Sequence, residues 1–331
     1  MAPLRWGLAG AGAIAHDFVS AIELHAPDEK KLMVQAVAAR DLQRAKTFAE
    51  NHGIAQAYGC YQEIADDPNI DIIYVNNITN HHYEVCMQML KAGKHVLCEK
   101  PLTMDIEQTK EILAYAKQQK KFLMEAVWSR FTPGYEQLRA ELSRNAIGDV
   151  RLVDAKFSVN IEHVPRTYEP NLGASVIFDL GIYTIQLATM VLGNKCKKIH
   201  CAGTLFPTGI ENMSNITLIY DDKTIARLFC CASQNTENSA QIYGTKGKLE
   251  FQSTMWSPTE LVTPSGFHQF HIPESEHQFN FVNSANLYYE FKAVNEAIQK
   301  GLLEHPLMTH EDTLSLVEIA TECIKQIKSA A

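Results

Sequence analysis

The sequence lacks an excess of positive charge. Its 30 lysines and arginines are outnumbered by 38 aspartates and glutamates, which gives a formal net charge of −8 at pH 7. Proteins that bind nucleic acid or an anionic membrane surface usually carry a strongly basic face. We therefore expect neither nucleic acid nor a membrane as the main partner, while a local basic pocket for a phosphate group stays compatible with this balance.

Cysteines in the spacing of metal or redox sites are also missing. None of the eight cysteines forms a Cys-x-x-Cys motif, and most of them lie inside apolar runs. We interpret them as small buried hydrophobic residues of a reducing compartment. No group of Cys, His and Asp has metal-ligand spacing. The sequence thus predicts a cytoplasmic protein without a metal site.

Targeting and membrane segments are not recognisable either. The amino-terminal residues show no signal-peptide pattern, and no apolar run approaches the roughly 20 residues that a membrane span needs. The composition, 46% hydrophobic and 21% charged, is typical of a folded protein. At roughly 100–200 residues per domain, a chain of 331 residues predicts two domains.

The pattern of apolar residues changes near residue 127. Before it, short apolar strands alternate with amphipathic helices, which predicts a parallel sheet covered by helices over 1–127. After it, strand-like runs follow one another with short turns, such as Gly244–Gly247, and only a few helices interrupt them. The region 128–331 is therefore predicted to be an α+β domain with a largely antiparallel sheet.

A glycine motif follows the first predicted strand. Gly10, Gly12 and Ala15 form G-x-G-x-x-A, and Ala13 and Ile14 begin the next helix. In a dinucleotide site the first glycine permits a tight turn, and the second lets backbone N–H groups approach a pyrophosphate at the helix N-terminus. The motif predicts a Rossmann domain, and the alternative interpretation is a flexible Gly/Ala turn.

The end of the second strand bears on the choice of dinucleotide. Folds that bind NAD usually place an acidic residue there, whereas this chain has Arg40, followed by Arg44 one helical turn later. A guanidinium suits the 2′-phosphate of the adenosine ribose. We predict NADP(H) as cofactor. A solvated surface arginine is the alternative interpretation of Arg40.

The stretch Phe178–Gln186 places two polar side chains in an otherwise apolar run. Asp179 and Tyr183 are four residues apart, which puts them on one face of a predicted helix. A buried carboxylate must be paired or hydrogen-bonded to avoid a cost of several kcal/mol. The pattern indicates a functional pair, although a core aromatic with a satisfied hydroxyl is the ordinary interpretation of Tyr183.

Several motifs in order along the chain resemble those of a known family. They are G-x-G-x-x-A, Glu-Lys-Pro at 99–101, Trp-Ser-Arg-Phe-Thr-Pro at 128–133, Asp-Leu-Gly-Ile-Tyr at 179–183 and Gly-Thr-Lys-Gly at 244–247. The series resembles the glucose–fructose oxidoreductase/inositol dehydrogenase family, and within it the subgroup of dimeric dihydrodiol and D-xylose dehydrogenases. The resemblance implies a Rossmann domain, an open-faced antiparallel sheet domain that forms a homodimer, and an active site between the domains.

The resemblance also implies catalytic roles. Lys100 is catalytic or lies near the nicotinamide, and its peptide bond to Pro101 is often cis in the family. Tyr183, where many relatives have histidine, exchanges the proton of the reacting hydroxyl, and a nearby lysine cation lowers the pKa of the phenol. Asp179 binds a substrate hydroxyl or orients Lys100. From sequence alone, a surface residue at a strand end is the favoured interpretation of Lys100.

Further residues are expected in the site. Trp128 stands where relatives usually have asparagine, and an indole there favours a flat or aromatic substrate. A core position is the more typical one for each of the apolar candidates Phe157, Ile161 and Phe281. His81 is interpreted as a solvated residue. The cofactor-binding candidates are Gly10, Gly12, Ala13, Ile14, Arg40, Arg44, Asn77, Thr79, His82, Glu99, Lys100, Trp128 and Arg130. The substrate-binding candidates are Trp128, Phe157, Ile161, Asp179, Tyr183 and Phe281.

The predicted function follows from these residues and the resemblance. We expect an NADP-dependent oxidoreductase that acts on the carbinol or carbonyl carbon of small molecules: trans-dihydrodiols of aromatic hydrocarbons, D-xylose or related sugars, and dicarbonyls. One alternative is a sugar or polyol oxidoreductase with another substrate. The other is a non-catalytic regulator that senses NADP(H).

Overall fold

The computed structural model describes residues 3–276 and 278–330. The chain divides into two compact units. The first unit consists of Met1–Thr103, Glu107–Phe131 and Ile272–His310. The second unit consists of Met104–Ile106, Thr132–His271 and Glu311–Ala331.

The first unit is built on a parallel sheet of six strands. Their order is β3-β2-β1-β4-β5-β6, and every neighbouring pair is parallel. The strands are β1 (Trp6–Ala9), β2 (Val34–Ala38), β3 (Gln56–Tyr58), β4 (Ile72–Val75), β5 (His95–Glu99) and β6 (Leu123–Ala126). The strand order reverses between β1 and β4, and ligands of such sheets bind at the carboxyl ends of the strands beside that reversal.

The helices of this unit follow from local sequence signals. Asp41 caps α3, because its carboxylate accepts a hydrogen bond from the backbone N–H of Arg44 at 2.7 Å. Gly53 ends the same helix in a left-handed conformation. The helices are α1 (Ala13–His25), α2 (Pro27–Met33), α3 (Leu42–His52), α4 (Tyr61–Asp66), α5 (His82–Lys91), α6 (Ile106–Gln118) and α9 (Leu287–Gln299).

Three short elements of the first unit are absent from the sequence-based prediction. They are α2, β3 and α4, none of which is longer than seven residues. Elements this short span two turns of helix or fewer, so their apolar residues do not complete a recognisable period. They extend the predicted alternation without changing the fold class.

The second unit contains a mixed sheet of eight strands in the order β14-β13-β12-β11-β7-β10-β9-β8. All neighbouring pairs are antiparallel except β7 and β10, which are parallel. This confirms a largely antiparallel sheet. The strands are β7 (Val150–Ser158), β8 (Lys198–Leu205), β9 (Glu211–Ile219), β10 (Ile225–Cys231), β11 (Ala240–Gly244), β12 (Gly247–Phe251), β13 (Glu260–Thr263) and β14 (Gly266–Gln269).

One face of this sheet is covered and the other is open. Helix α8 (Ile182–Leu192) packs against β7 and β10. Along β10 the buried Ala226 and Leu228 alternate with the exposed Ile225 and Arg227. That alternation is typical of an antiparallel sheet with one solvated face. Two further helices, α7 (Pro133–Ser143) and α10 (His310–Ala330), complete the elements.

The segment that leads into α8 is unusually apolar. The 23-residue stretch Pro170–Leu192 is long and apolar enough to cross a membrane by length and composition, and 78% of its most apolar window is buried inside the protein. The prediction that no apolar run approaches the length of a membrane span was therefore wrong. A buried core helix satisfies the same criteria of length and composition as a membrane span, and the burial of this stretch is that of such a helix.

Candidate functional site

The glycine turn after β1 has the shape of a phosphate-binding loop. Gly10 has φ +138°, and a Cβ added to it would lie 2.2 Å from Oδ1 of Asn76. No other residue fits there without displacing Asn76. A Cβ on Gly12, by contrast, would meet nothing within 4 Å. Gly10 is thus required by the turn itself, and Gly12 faces open space.

That open space lies at the amino end of α1. Gly12 is the N-cap residue, no side chain caps the helix, and its first turn contains no acidic residue. The first N–H groups of a helix have no partner within the helix and carry partial positive charge. The residues Gly12, Ala13 and Ile14 therefore form a site that fits the pyrophosphate of a dinucleotide.

A cavity of about 360 Å³ adjoins this turn. Arg44 donates from Nε and Nη2 to the carbonyl oxygen of Ala11, at 3.2 and 3.1 Å, which fixes the guanidinium beside the glycine turn. Arg40 is exposed at the end of β2. The residues that line the cavity are Ala11, Asp41, Gln43, Arg44, Thr47, Phe48 and Asn51.

The loops after β4 and β5 are joined by His82. Its imidazole is fully buried, with Nδ1 2.7 Å from the carbonyl oxygen of Pro101 and Nε2 3.1 Å from that of Asn77. Burial lowers the pKa of His82. A neutral imidazole has one N–H and donates to one of these two carbonyl oxygens, and the ring packs between the two loops. Thr79 and Asn77 are half-buried in the first of these loops.

Lys100 begins the second of these loops, directly after β5. The Lys100–Pro101 peptide bond is cis, which confirms the expectation from the sequence. Glu99 is buried, and its carboxylate accepts hydrogen bonds from the hydroxyl of Tyr74 and, at 3.2 Å, from the backbone N–H of Lys100. The backbone on both sides of the Lys100 side chain is thus held by buried groups.

The remaining candidates of the first unit lie in different surroundings. Trp128 and Arg130 belong to a short 3-10 turn and are only 3% and 2% exposed. Arg130 donates from Nη1 to the carbonyl oxygen of Leu307 at 3.0 Å. Phe281 is 41% exposed, and its backbone N–H donates to the buried carboxylate of Asp17 at 2.9 Å. Arg130 is thus engaged in the packing of this unit, while the ring of Phe281 stays accessible.

In the second unit, Tyr183 lies among aromatic rings. It is 7% exposed, and its ring centroid is 5.3 Å from that of Phe157 at an interplanar angle of 60°. Phe157 stacks in turn on Trp256, with centroids 4.1 Å apart and an angle of 6°. The structure therefore brings two predicted residues together and adds Trp256, which the sequence reasoning missed.

Asp179 is paired with a residue that was also missed. It lies in a π-helical turn, Ile177–Gly181, which precedes α8, and such turns are frequent at functional sites. Its Oδ2 is 2.5 Å from Nη1 of Arg166. Arg166 belongs to the sequence His-Val-Pro-Arg at 163–166. No residue of that sequence is among the predicted site residues.

Ile161 lies on the same loop as Arg166. It is half-buried, and its backbone N–H donates to the carbonyl oxygen of Ala232 at 2.8 Å. Within the second unit the structure thus groups Phe157, Tyr183 and Trp256, and separately pairs Asp179 with Arg166. The first group is apolar apart from the phenol, and the second is an ion pair.

Comparison with protein families gives two matches that cover most of the chain. Residues 4–127 match the model described as an oxidoreductase family with an NAD-binding Rossmann fold. Residues 135–250 match the GFO/IDH/MocA C-terminal domain. A curated relative from Xenopus tropicalis, trans-1,2-dihydrobenzene-1,2-diol dehydrogenase, is 42% identical over 325 residues, which is 98% of each chain.

Solved structures share the fold over the whole chain. KijD10 from Actinomadura kijaniata, a 3-ketoreductase in complex with NADP and TDP-benzene, superposes with a TM-score of 0.79 and 25% identity over 99% of this chain and 97% of its own. Levoglucosan dehydrogenase in complex with NADH and levoglucosan superposes with a TM-score of 0.84 and 18% identity, over 99% and 98%. One of these two structures contains NADP and the other NADH, so the shared fold leaves the choice of nicotinamide cofactor open.

Proposed function

Because this chain belongs to the GFO/IDH/MocA oxidoreductase family, we propose that it is an NADP-dependent dehydrogenase of trans-dihydrodiols of aromatic hydrocarbons. D-Xylose, related sugars and dicarbonyls are further proposed substrates. The observation that carries the proposal is the contact of the Tyr183 ring with Phe157, which in turn stacks on Trp256. A flat apolar ring with hydroxyl groups matches a pocket that is aromatic with a few placed polar groups.

In the proposed reaction, hydride transfer belongs to the cofactor and proton transfer to the side chains. A bound nicotinamide accepts or supplies the hydride. Tyr183 takes the proton of the reacting hydroxyl during oxidation and returns it during carbonyl reduction. A lysine cation favours the phenolate form of a tyrosine, and Lys100 is the lysine for which the resemblance to the family implies a catalytic role. Asp179 accepts a hydrogen bond from a second hydroxyl of the substrate.

The test of this function is a spectrophotometric screen. NADP⁺ reduction at 340 nm is followed with trans-dihydrobenzenediol and D-xylose, and NADPH oxidation with diacetyl. We expect turnover of the dihydrodiol and of D-xylose with NADP⁺. Tight NADPH binding without turnover of any alcohol or carbonyl would instead favour the regulator, and turnover limited to other polyols would favour a different sugar oxidoreductase of the same family.

The preference for NADP over NAD is a proposal that rests on the basic side chains at the end of β2. Arg44 is fixed beside the glycine turn, and Arg40 is exposed two residues after the end of β2. A guanidinium binds a phosphate through charge-assisted and often bidentate hydrogen bonds. A 2′-phosphate would thus gain contacts that the hydroxyl of NAD cannot make.

Replacing Arg40 with alanine should weaken NADP⁺ binding by about tenfold or more, the effect of one hydrogen bond to a charged group. The affinity for NAD⁺ should change by less than about twofold. Dissociation constants from calorimetry measure both. Lys46→Ala is the matched control, because Lys46 is an exposed cation of α3, the helix that begins two residues after Arg40. Equal weakening of the two cofactors, or equal affinities in the unmodified enzyme, would contradict NADP preference.

A homodimer formed through the open face of the second unit's sheet is also proposed. A row of cross-strand neighbours on that face contains the apolar residues Ile219, Ile225, Leu152 and Tyr243. Ile225 and Tyr243 are 38% and 39% exposed. A contiguous exposed apolar row flanked by charged residues is typical of a protein interface.

Light scattering should give a mass twice the 37.1 kDa of the chain. Ile225→Glu should convert the protein to monomers, because the carboxylate would be buried without a partner at the interface. Leu32→Glu is the control, since Leu32 is an exposed apolar residue of α2, outside the sheet. A monomeric unmodified protein, or a dimer that Ile225→Glu leaves intact, would contradict this interface.

A further inference from the structure

The ion pair between Arg166 and Asp179 is too exposed to be explained by stability. The side chains are 48% and 21% exposed, and their Nη1 and Oδ2 atoms are 2.5 Å apart. Exposed ion pairs contribute about 0–1 kcal/mol to folding, because solvent screens them and two long side chains lose freedom. The pair therefore contributes little to the stability of the fold.

The loop that carries Arg166 does not depend on the ion pair for its conformation. Thr167 is buried, and its hydroxyl donates to the carbonyl oxygens of Val164 at 2.7 Å and Ile161 at 3.2 Å. The backbone N–H of Ile161 donates to Ala232 at 2.8 Å, which ties the loop to the end of β10. These contacts hold the backbone of the loop in the conformation in which Arg166 reaches Asp179.

The turn that carries Asp179 is fixed independently. The buried carboxylate of Glu211 accepts hydrogen bonds from the hydroxyl of Ser175 and, at 3.0 Å, from the backbone N–H of Ile177. The backbone N–H of Asp179 donates to the carbonyl oxygen of Ser175 at 2.9 Å. Both partners of the ion pair are therefore held by contacts that do not involve the pair, so the pair is preorganised.

We propose that Arg166 is a positioning residue that fixes the carboxylate of Asp179 to accept a hydrogen bond from a non-reacting hydroxyl of the substrate. This inference rests on the proposed function. An ionised carboxylate has about four acceptor positions on two oxygens, so it can accept a hydrogen bond from a substrate hydroxyl in addition to that from the guanidinium. Arg166 thereby selects substrates that carry a second hydroxyl.

The charge of the pair adds to this selectivity. A carboxylate and a guanidinium in contact are together neutral, so neither an anionic nor a cationic substrate gains from long-range attraction. A neutral diol or sugar offers the hydroxyl donor that the carboxylate accepts. A dicarbonyl without hydroxyl groups offers none, and its binding does not depend on Asp179.

Arg166→Ala should raise the KM for D-xylose and for trans-dihydrobenzenediol by about tenfold or more, with kcat changed by less than about threefold. A hydrogen bond to a charged group contributes about 1.5–3 kcal/mol, which corresponds to this factor. The KM for diacetyl and the dissociation constant of NADP⁺ should stay within about twofold. Guanidinium ions added to this variant should lower the raised KM, which a loss of loop structure would not allow.

Two further variants complete the experiment. Arg151→Ala is the matched control, because Arg151 forms an exposed ion pair with Asp149 in the same unit, and it should leave every constant unchanged. Asp179→Asn should raise the same KM values, and adding Arg166→Ala to it should have no further effect. Additive effects, an unchanged KM for D-xylose in Arg166→Ala, or an equal rise for diacetyl would overturn the proposal.

Binding measurements separate this inference from the proposed function. Calorimetry of D-xylose with the enzyme and NADPH gives a dissociation constant that does not require turnover. If the unmodified enzyme binds D-xylose but does not oxidise it, the proposed function fails, and the dissociation constants of the variants test Arg166 in place of KM. If the enzyme neither binds nor oxidises the two hydroxylated compounds, both proposals fail.

Discussion

Replacing Tyr183 with phenylalanine is expected to lower kcat by at least about 100-fold, the low end of what general acid–base catalysis contributes. The change removes only the phenolic oxygen. The ring centroid stays 5.3 Å from that of Phe157, so the packing of the aromatic rings and the binding of substrate should persist. Steady-state NADPH absorbance with the best substrate of the screen measures kcat and KM separately.

The matched control for this experiment is Tyr220→Phe. The hydroxyl of Tyr220 is buried in the same unit and has no hydrogen-bond partner among residues 3–276 and 278–330. Its removal should leave kcat within about twofold. A near-normal kcat in Tyr183→Phe would remove Tyr183 from the proton transfer, and a loss that appears equally in KM would indicate a binding role instead.

The cofactor half of the site could be predicted from sequence because its signals are local. The turn at Gly10–Gly12 joins a strand directly to a helix, and the positive φ of Gly10 admits glycine and few other residues. The cap at Asp41 and the stop at Gly53 directly flank the helix that they bound. Each of these features is decided by residues fewer than about five positions apart.

The substrate half was predicted less completely because its contacts join distant parts of the chain. Trp256 stacks on Phe157 from a loop between β12 and β13, and no periodicity in the sequence links the two. Arg166 contacts Asp179, which lies in a π-helical turn. A π-turn depends on one extra residue per turn, which apolar spacing alone does not reveal.

A further buried carboxylate, that of Glu290 in α9, lowers the stability of the fold. It is fully buried, and neither carboxyl oxygen has a hydrogen-bond partner within the residues the structure describes. Burial, with a smaller contribution from the charge of Glu99, raises the pKa of Glu290 well above its usual value. An unsatisfied buried group costs about 1–3 kcal/mol, and more when it is charged. Glu290 should therefore destabilise the fold at neutral pH.

Glu290→Met should raise the free energy of unfolding by about 1–3 kcal/mol at pH 7, because it removes that cost at nearly the same side-chain volume. Urea unfolding followed by circular dichroism measures it. Glu296→Met is the matched control, since Glu296 lies on the same helix and its side chain is 51% exposed. The control should change the free energy by less than about 0.5 kcal/mol.

The pH dependence of the free energy of unfolding tests this prediction more specifically. Below about pH 4 the carboxyl group of Glu290 is protonated in the folded and in the unfolded protein, so its ionisation changes the free energy of unfolding little. As the pH rises, the unfolded chain releases this proton first, because the folded-state pKa is raised, so the unfolded state gains stability. The advantage of Glu290→Met over the unmodified protein should thus be larger at pH 8 than at pH 5. An equal advantage at both values would mean that Glu290 is ionised in the folded protein, and a loss of stability at both would mean that its carboxyl group has a partner that outweighs the cost of burial.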